Sequence, residues 1–157
     1  MDSRPAPSFR ELDRGEADAL LRRNNVGRIA FTLHDVVDIE PISYVYSWPW
    51  LYGRTSKGAK LDAITQQSWV AFEVDEVKGL FDWQSVVVKG SFEVVDEATW
   101  AHHDPGFIRG LDLLRSLLPE TLRANDPVPF RRTVFRIHVD EIRGREATSG
   151  PTALQSR

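Results

Sequence analysis

Through residues 26–33 apolar and polar side chains alternate, with Ile29, Phe31 and Leu33 on one side and Arg28, Ala30 and Thr32 on the other. A period of two is that of a strand with one buried face. The same period returns at 50–55, 69–75, 83–95 and 133–139, and β-branched and aromatic residues dominate 37–46. Pro41 cannot donate to a ladder, so the strand that carries it belongs at an edge or a bulge. His34 and Asp35 form the turn before it, residues 47–49 the turn after it, and residues 76–82 join the next two strands. Gly90, in the middle of the longest strand, marks a bend or bulge of the kind that lets a sheet curl.

The period lengthens to a helical one in three places. Asp13, with Glu16 three residues on, has the form of a capping box, and Ala17, Leu20 and Leu21 then share a face as far as the stop at Asn24 and Asn25. Leu61 and Ile64 share the face of a short helix. Beyond the break at Asp104, Pro105 and Gly106, a helix over 106–122 aligns Leu111, Leu114, Leu117 and Leu118 as a packing stripe. Residues 1–10 and 147–157 lack periodicity and read as a flexible arm and a flexible polar tail around one domain at 11–146. Six strands joined mostly by short turns predict a mainly β fold. The antiparallel sheet hides its edges by closing into a small barrel, with helices flanking it.

The chain has 157 residues, 41% hydrophobic and 27% charged, which suits one domain with an ordinary core. No apolar run approaches the roughly 18 residues of a membrane span, and residues 1–21 lack the apolar stretch of a signal peptide, so a cytoplasmic protein is expected. A net charge of −3 argues against a nucleic-acid partner. Without cysteine there is no thiol catalysis and no Cys-ligated metal, and redox chemistry needs a bound cofactor.

Thr55, Ser56, Lys57, Gly58, Ala59 and Lys60 place hydroxyls, a glycine and two cations where a strand runs into a helix N-terminus. Free amides and the helix dipole favour an anion there, glycine lets the backbone come close, and lysine adds a full charge, so the segment reads as a phosphate site. The plainer reading is Ser56 as an N-cap beside two solvated lysines. A nucleotide triphosphatase loop is excluded: Gly53 and Gly58 are correctly spaced, but Ala59 precedes Lys60 and Leu61 stands where Ser or Thr is required. Pro41, Ile42, Ser43 and Tyr44, and likewise Trp83, Gln84, Ser85 and Val86, interleave polar and planar or apolar side chains, as the wall of a flat heteroaromatic ring would. Core packing is the alternative for these aromatics. His102, His103 and Asp104 are a weak metal candidate, since adjacent histidines on a helix diverge by about 100°. No Gly-x-Ser-x-Gly elbow is present, and Glu40, Glu73 and Glu93 read as solvent-facing alternates.

The order Val26-Gly27-Arg28-Ile29-Ala30, Pro41-Ile42-Ser43-Tyr44-Val45, Leu51-Tyr52-Gly53-Arg54-Thr55-Ser56, Gly58-Ala59-Lys60-Leu61, Val70-Ala71-Phe72-Glu73-Val74-Asp75 and Trp83-Gln84-Ser85-Val86-Val87-Val88-Lys89-Gly90 resembles the small flavin-binding members of the pyridoxamine phosphate oxidase superfamily, including the nitroimidazole-resistance type. The likeness covers residues 12–96 well and 133–144 more loosely. It implies a split β-barrel homodimer with FMN in two equivalent clefts between subunits. Ile42, Ser43 and Tyr44 would border the flavin ring. Arg54, Thr55, Ser56, Lys57 and Lys60 would take ribityl and phosphate, and Trp83, Gln84 and Ser85 would contribute from nearby. The Pro41 strand and the load of Trp48, Trp50, Trp69 and Trp83 agree with a dimer. Vitamin B6 oxidation is not implied, because the chain has Arg143-Gly144-Arg145-Glu146 and a polar tail in place of an Arg-Leu-Ala-Pro-like end. The function expected is an FMN-dependent oxidoreductase with a small-molecule electron donor and acceptor and no side chain assigned to catalysis. The alternatives are a non-catalytic flavin-binding protein, or a deazaflavin- or haem-binding relative on the same barrel.

Overall fold

The computed structural model describes residues 5–95 and 105–149. The order is β1 (Ser8–Glu11), α1 (Arg14–Arg23), β2 (Val26–Leu33), β3 (Val36–Ser43), β4 (Val45–Ser47), β5 (Trp50–Thr55), α2 (Ala59–Gln66), β6 (Trp69–Gly79), β7 (Asp82–Val95), α3 (Pro105–Leu117) and β8 (Thr133–Thr148). All pairings are antiparallel, and the sheet runs β3-β2-β6-β7-β8-β5-β4, with β1 added on β8. The two ends of that path, β3 and β4, are consecutive in the chain with only Tyr44 between them. The sheet therefore comes back on itself through the chain and not through a ladder, the arrangement of a split barrel.

His34 and Asp35 take positive φ, 50° and 62°, which is the two-residue turn that matches the twist of a β2-β3 hairpin. Pro41 lies on β3, which among the described residues pairs only with β2, as expected of an edge strand. The β7-β8 register shifts between Lys89 and Gly90, where the bend was expected. Here glycine is required by close approach: a Cβ on Gly90 would lie 1.7 Å from the His138 carbonyl oxygen.

The interior is filled by alternate residues of the long strands, among them Ile29, Phe31, Phe72, Val86, Val88 and Ile137, and α1 and α2 close it with Leu20, Leu21, Leu61 and Ile64. The capping box of α1 is complete: Asp13 accepts from the Glu16 amide at 2.8 Å, and Glu16 accepts from the Asp13 amide at 3.2 Å. A second cluster joins α3, through Phe107 and Leu114, to Val45, Tyr52 and Val134.

Among the described residues eight strands form where the sequence shows six. Residues 37–46 divide at Tyr44, whose amide leaves the ladder for the Asn25 carbonyl at 2.9 Å. Ser8–Glu11, at the end of the expected arm, pairs with residues 145–148, and β8 accordingly runs on to Thr148. The β6 and β7 strands extend each other into one long hairpin closed at residues 80–81. In α3 the buried residues are Phe107, Gly110 and Leu114, whereas Leu117 of the expected stripe is exposed. His102, His103 and Asp104 lie outside the described residues, and the described ones contain no cluster of three or more metal-ligating side chains. No helix among them is long and apolar enough to cross a membrane.

Candidate functional site

At the open seam of the barrel, β3 ends at Ser43, β5 ends at Thr55 and α2 begins at Ala59. Ile42, Thr55, Lys60, Leu61 and Ile64 line a narrow cleft there of about 10 Å³, floored by Ile29, Phe92 and Phe135. Three of the residues singled out in the sequence, Ile42, Thr55 and Lys60, are thus brought together from three elements. The N-cap of α2 is Gly58, not Ser56, and no side chain caps the helix. Its first-turn amides have no side-chain acceptor, and a Cβ on Gly58 would meet nothing within 4 Å, so the approach to the helix end is open. Ser56 and Lys57 are exposed on that approach.

Lys60 forms an ion pair with Glu40 across the seam, with both side chains about a third exposed. Its ammonium also lies 5.9 Å from the Phe31 ring centre. Glu40, read from the sequence as a solvent-facing alternate, holds this cation in place. Asp62 in the first turn of α2 is the opposing charge at the helix start.

Arg54 is turned elsewhere. Its guanidinium, 8% exposed, grips Asp126, 2% exposed, through two hydrogen bonds of 2.5 and 2.9 Å. Asp126 also accepts from the Leu122 and Val128 amides, at 2.9 and 3.0 Å. The Arg54 hydrogen bond is the main cause holding the Asp126 carboxyl well below the usual carboxylate range. The pair fastens residues 122–128 to the end of β5. Tyr44 is likewise a core residue: its hydroxyl donates to the Leu21 carbonyl at 2.8 Å, its ring meets Phe72 edge-on at 4.7 Å, and burial raises its phenol pKa. Ser43 is exposed opposite Val26.

Trp83 and Ser85 line a different surface, a groove of about 790 Å³ beside α1 and β8 that shares no lining residue with the cleft at α2. Gln84 faces α1, accepting from Arg23 at 2.9 Å and donating to Glu146 at 3.2 Å. Strand alternation accounts for the split, since neighbours in a strand point to opposite faces.

Glu73 lies on the outer face of β6, as read from the sequence, but is largely covered there, with a side chain only 26% exposed. It sits between Arg28 and Val87 of the adjacent strands, with Arg28 at 3.6 Å, and one carboxyl oxygen is buried without a hydrogen-bond partner. Burial, then hydrogen bonding to Asp75, pushes its pKa up to about 7. Asp126 and the groove beside α1 had no signature in the sequence: both depend on contacts more than 60 residues apart, between Arg54 and Asp126 and between Trp83 and Ala147.

With this geometry established, comparison with known proteins assigns the class. The family model described as pyridoxamine 5'-phosphate oxidase matches residues 13–146. The chain belongs to that family. A curated relative, an uncharacterised protein of Rhizobium meliloti (strain 1021), is 27% identical over 151 residues, covering 90% of this chain and 97% of its own. The crystal structure of a FAD-binding protein from Mesorhizobium loti superposes with a TM-score of 0.71 at 28% identity, covering 89% of this chain and 99% of the other. A 5-nitroimidazole antibiotic resistance protein from Bacteroides thetaiotaomicron, at 15% identity, shares the fold with a TM-score of 0.65, over 90% of this chain and 89% of that one.

Proposed function

We propose that the protein is a flavin-binding member of this family, holding FMN and acting as a flavin-dependent oxidoreductase on small molecules. The observation that carries the reading is the uncapped start of α2, with Gly58 open in front of it and Lys57 and Lys60 on either side, at the mouth of an apolar cleft. A phosphate suits the amides and cations, and the apolar walls suit what is attached to it. The FAD-binding relative from Mesorhizobium loti supports a flavin as that group.

In this reading Ser56, Lys57, Lys60 and the first-turn amides of α2 bind the phosphate, Thr55 hydrogen-bonds the chain that follows, and Ile42 and Ser43 border the ring. Lys60 releases Glu40 to do so, which leaves that carboxylate beside the bound anion and makes Lys57 a second compensating charge. Arg54 acts at one remove, by fixing the end of β5 through Asp126. The flavin, when bound, supplies the hydride and electron chemistry. The side chains at the cleft orient it and exclude water.

Trp83 and Ser85 cannot reach that cleft within their own subunit if the two surfaces stay apart, so we assign them to the cleft of a second copy. The uncovered apolar residues support a homodimer. Val37 is 73% exposed, Ile39 59% and Trp69 58%, and by register Ile39 and Trp69 lie on the same outer face of β3, β2 and β6. A site built from two copies explains why its residues divide between two surfaces.

Titration of FMN against the wild type and a Lys57→Ala/Lys60→Ala variant tests the assignment. Loss of a charge-assisted contact is worth about 1.5–3 kcal/mol, so affinity should fall roughly tenfold to a hundredfold. Unchanged affinity in a folded variant would refute it. Bleaching of the bound flavin by NADH or NADPH under anaerobic conditions is the corresponding expectation for an oxidoreductase; bleaching by dithionite alone would favour the non-catalytic binder.

A further inference from the structure

The groove that holds Trp83 and Ser85 is open to solvent and has a volume of about 790 Å³, in the range of small-molecule sites, against about 10 Å³ for the cleft at α2. Its charge is distinctive. Lys89, Arg143 and Arg145 line it, and none of the three makes an ion pair with another described residue. Register places them together: Ser85 opposes Arg145, Val87 opposes Arg143, and Lys89 follows on the same face of β7. Glu11 and Asp13 also line the groove, so its wall carries four cations, Arg14 included, against two carboxylates. Asp13 is turned to the start of α1 as its N-cap, and Glu11 and Glu141, the cross-strand neighbours of Arg145 and Lys89, form no ion pair with a described residue. In a chain of net charge −3, three unpaired cations in one concave surface are a pole for a multiply charged anion. An aromatic wall stands at the end of the same groove, where Trp83 packs against Phe9 at 6.3 Å between ring centres.

We propose that this groove binds a nucleoside diphosphate moiety, with the two phosphates on Arg143, Arg145 and Lys89 and the base against Trp83. Guanidinium groups suit phosphate because their paired donors match its oxygens, and an indole face takes a base by stacking. The moiety has two possible sources: the ADP half of a dinucleotide flavin, or that of a nicotinamide dinucleotide acting as electron donor. The phosphate pole is independent of the flavin assignment. Its placement beside a flavin rests on the reading above, in which Trp83 and Ser85 complete the cleft of a second copy.

The test is calorimetric titration of ADP into the flavin-free protein, wild type and an Arg143→Glu/Arg145→Glu variant, with Trp83→Leu as a second variant and FMN titrated in parallel. Both arginines are exposed, so the charge reversal should fold, and a far-ultraviolet spectrum and melting curve check that it does. The expected result is saturable ADP binding by the wild type, at least tenfold weaker in each variant, with FMN affinity of the charge-reversed protein held within threefold. A wild-type preference for FAD over FMN that disappears on charge reversal identifies a dinucleotide flavin as the source. A raised KM for NADPH with the FAD-to-FMN ratio unchanged identifies the nicotinamide donor. Absence of ADP binding at millimolar concentration, or binding unaffected by both variants, overturns the proposal. FMN binding without ADP binding would leave the flavin reading standing, and ADP binding without FMN binding would leave this one.

Discussion

At Asp126 three donors converge, the Arg54 guanidinium and the Leu122 and Val128 amides, in a place with 2% exposure. Removing the carboxylate would strand a buried guanidinium as well as two amides. Breaking a buried pair from one side costs about 3–5 kcal/mol, so Asp126→Ala should lower the urea midpoint strongly. The pH dependence has a definite sign. The folded carboxyl titrates below its ordinary value of 3.8, so its stabilisation is present above that pH and is lost as the pH falls beneath it. Asp126→Asn should therefore flatten the acid limb of the stability profile, and an unaltered limb would contradict the role given to the pair. Glu73 shifts the other way, because burial opposes its charge. Nothing in residues 69–75 taken alone separates it from Glu93, which is exposed and paired with Arg136 at 2.8 Å.

Elements were legible where periodicity was strong and illegible where contacts supplied the order. The sequence of β2, with Ile29 and Phe31 inward and Arg28 outward, states its own burial. The capping box at Asp13 and Glu16 and the bulge at Gly90 were equally readable, since each is a local rule with a local residue. The second half of β8 was not. Residues 140–148 carry Asp140, Glu141, Arg143, Arg145 and Glu146 with little apolar alternation, and they extend because β7 on one side and β1 on the other supply the hydrogen bonds. The candidate residues divided in the same way: Ile42, Thr55 and Lys60 line one cleft, whereas Arg54 and Tyr44 bond to Asp126 and the Leu21 carbonyl, partners that spacing does not reveal. Gly90 provides the test at this scale. A methyl group there meets the His138 backbone, which cannot move without disturbing the β7-β8 ladder. Gly90→Ala should cost about 3 kcal/mol, read as a shifted denaturant midpoint at constant slope, whereas Gly58→Ala, facing open space, should cost far less.

Across the whole molecule, the residues proposed here for one flavin lie on two surfaces, and the outer face of β3, β2 and β6 leaves Val37, Ile39 and Trp69 uncovered. A symmetric dimer resolves both features at once, and sedimentation at micromolar concentration should show a single species of twice the 17.9 kDa chain mass. The shared site can be tested more directly than by mass. Two differently tagged chains are co-expressed, one carrying Lys57→Ala/Lys60→Ala and the other Trp83→Leu/Ser85→Ala, and the doubly tagged dimer is isolated and titrated with FMN. Each parent homodimer should bind weakly at both sites. The mixed dimer has one cleft with both halves intact, and should bind one FMN per dimer with wild-type affinity. Weak binding at every site of a folded mixed dimer, or wild-type binding by the Trp83→Leu/Ser85→Ala parent, would contradict a cleft assembled from two copies of the chain.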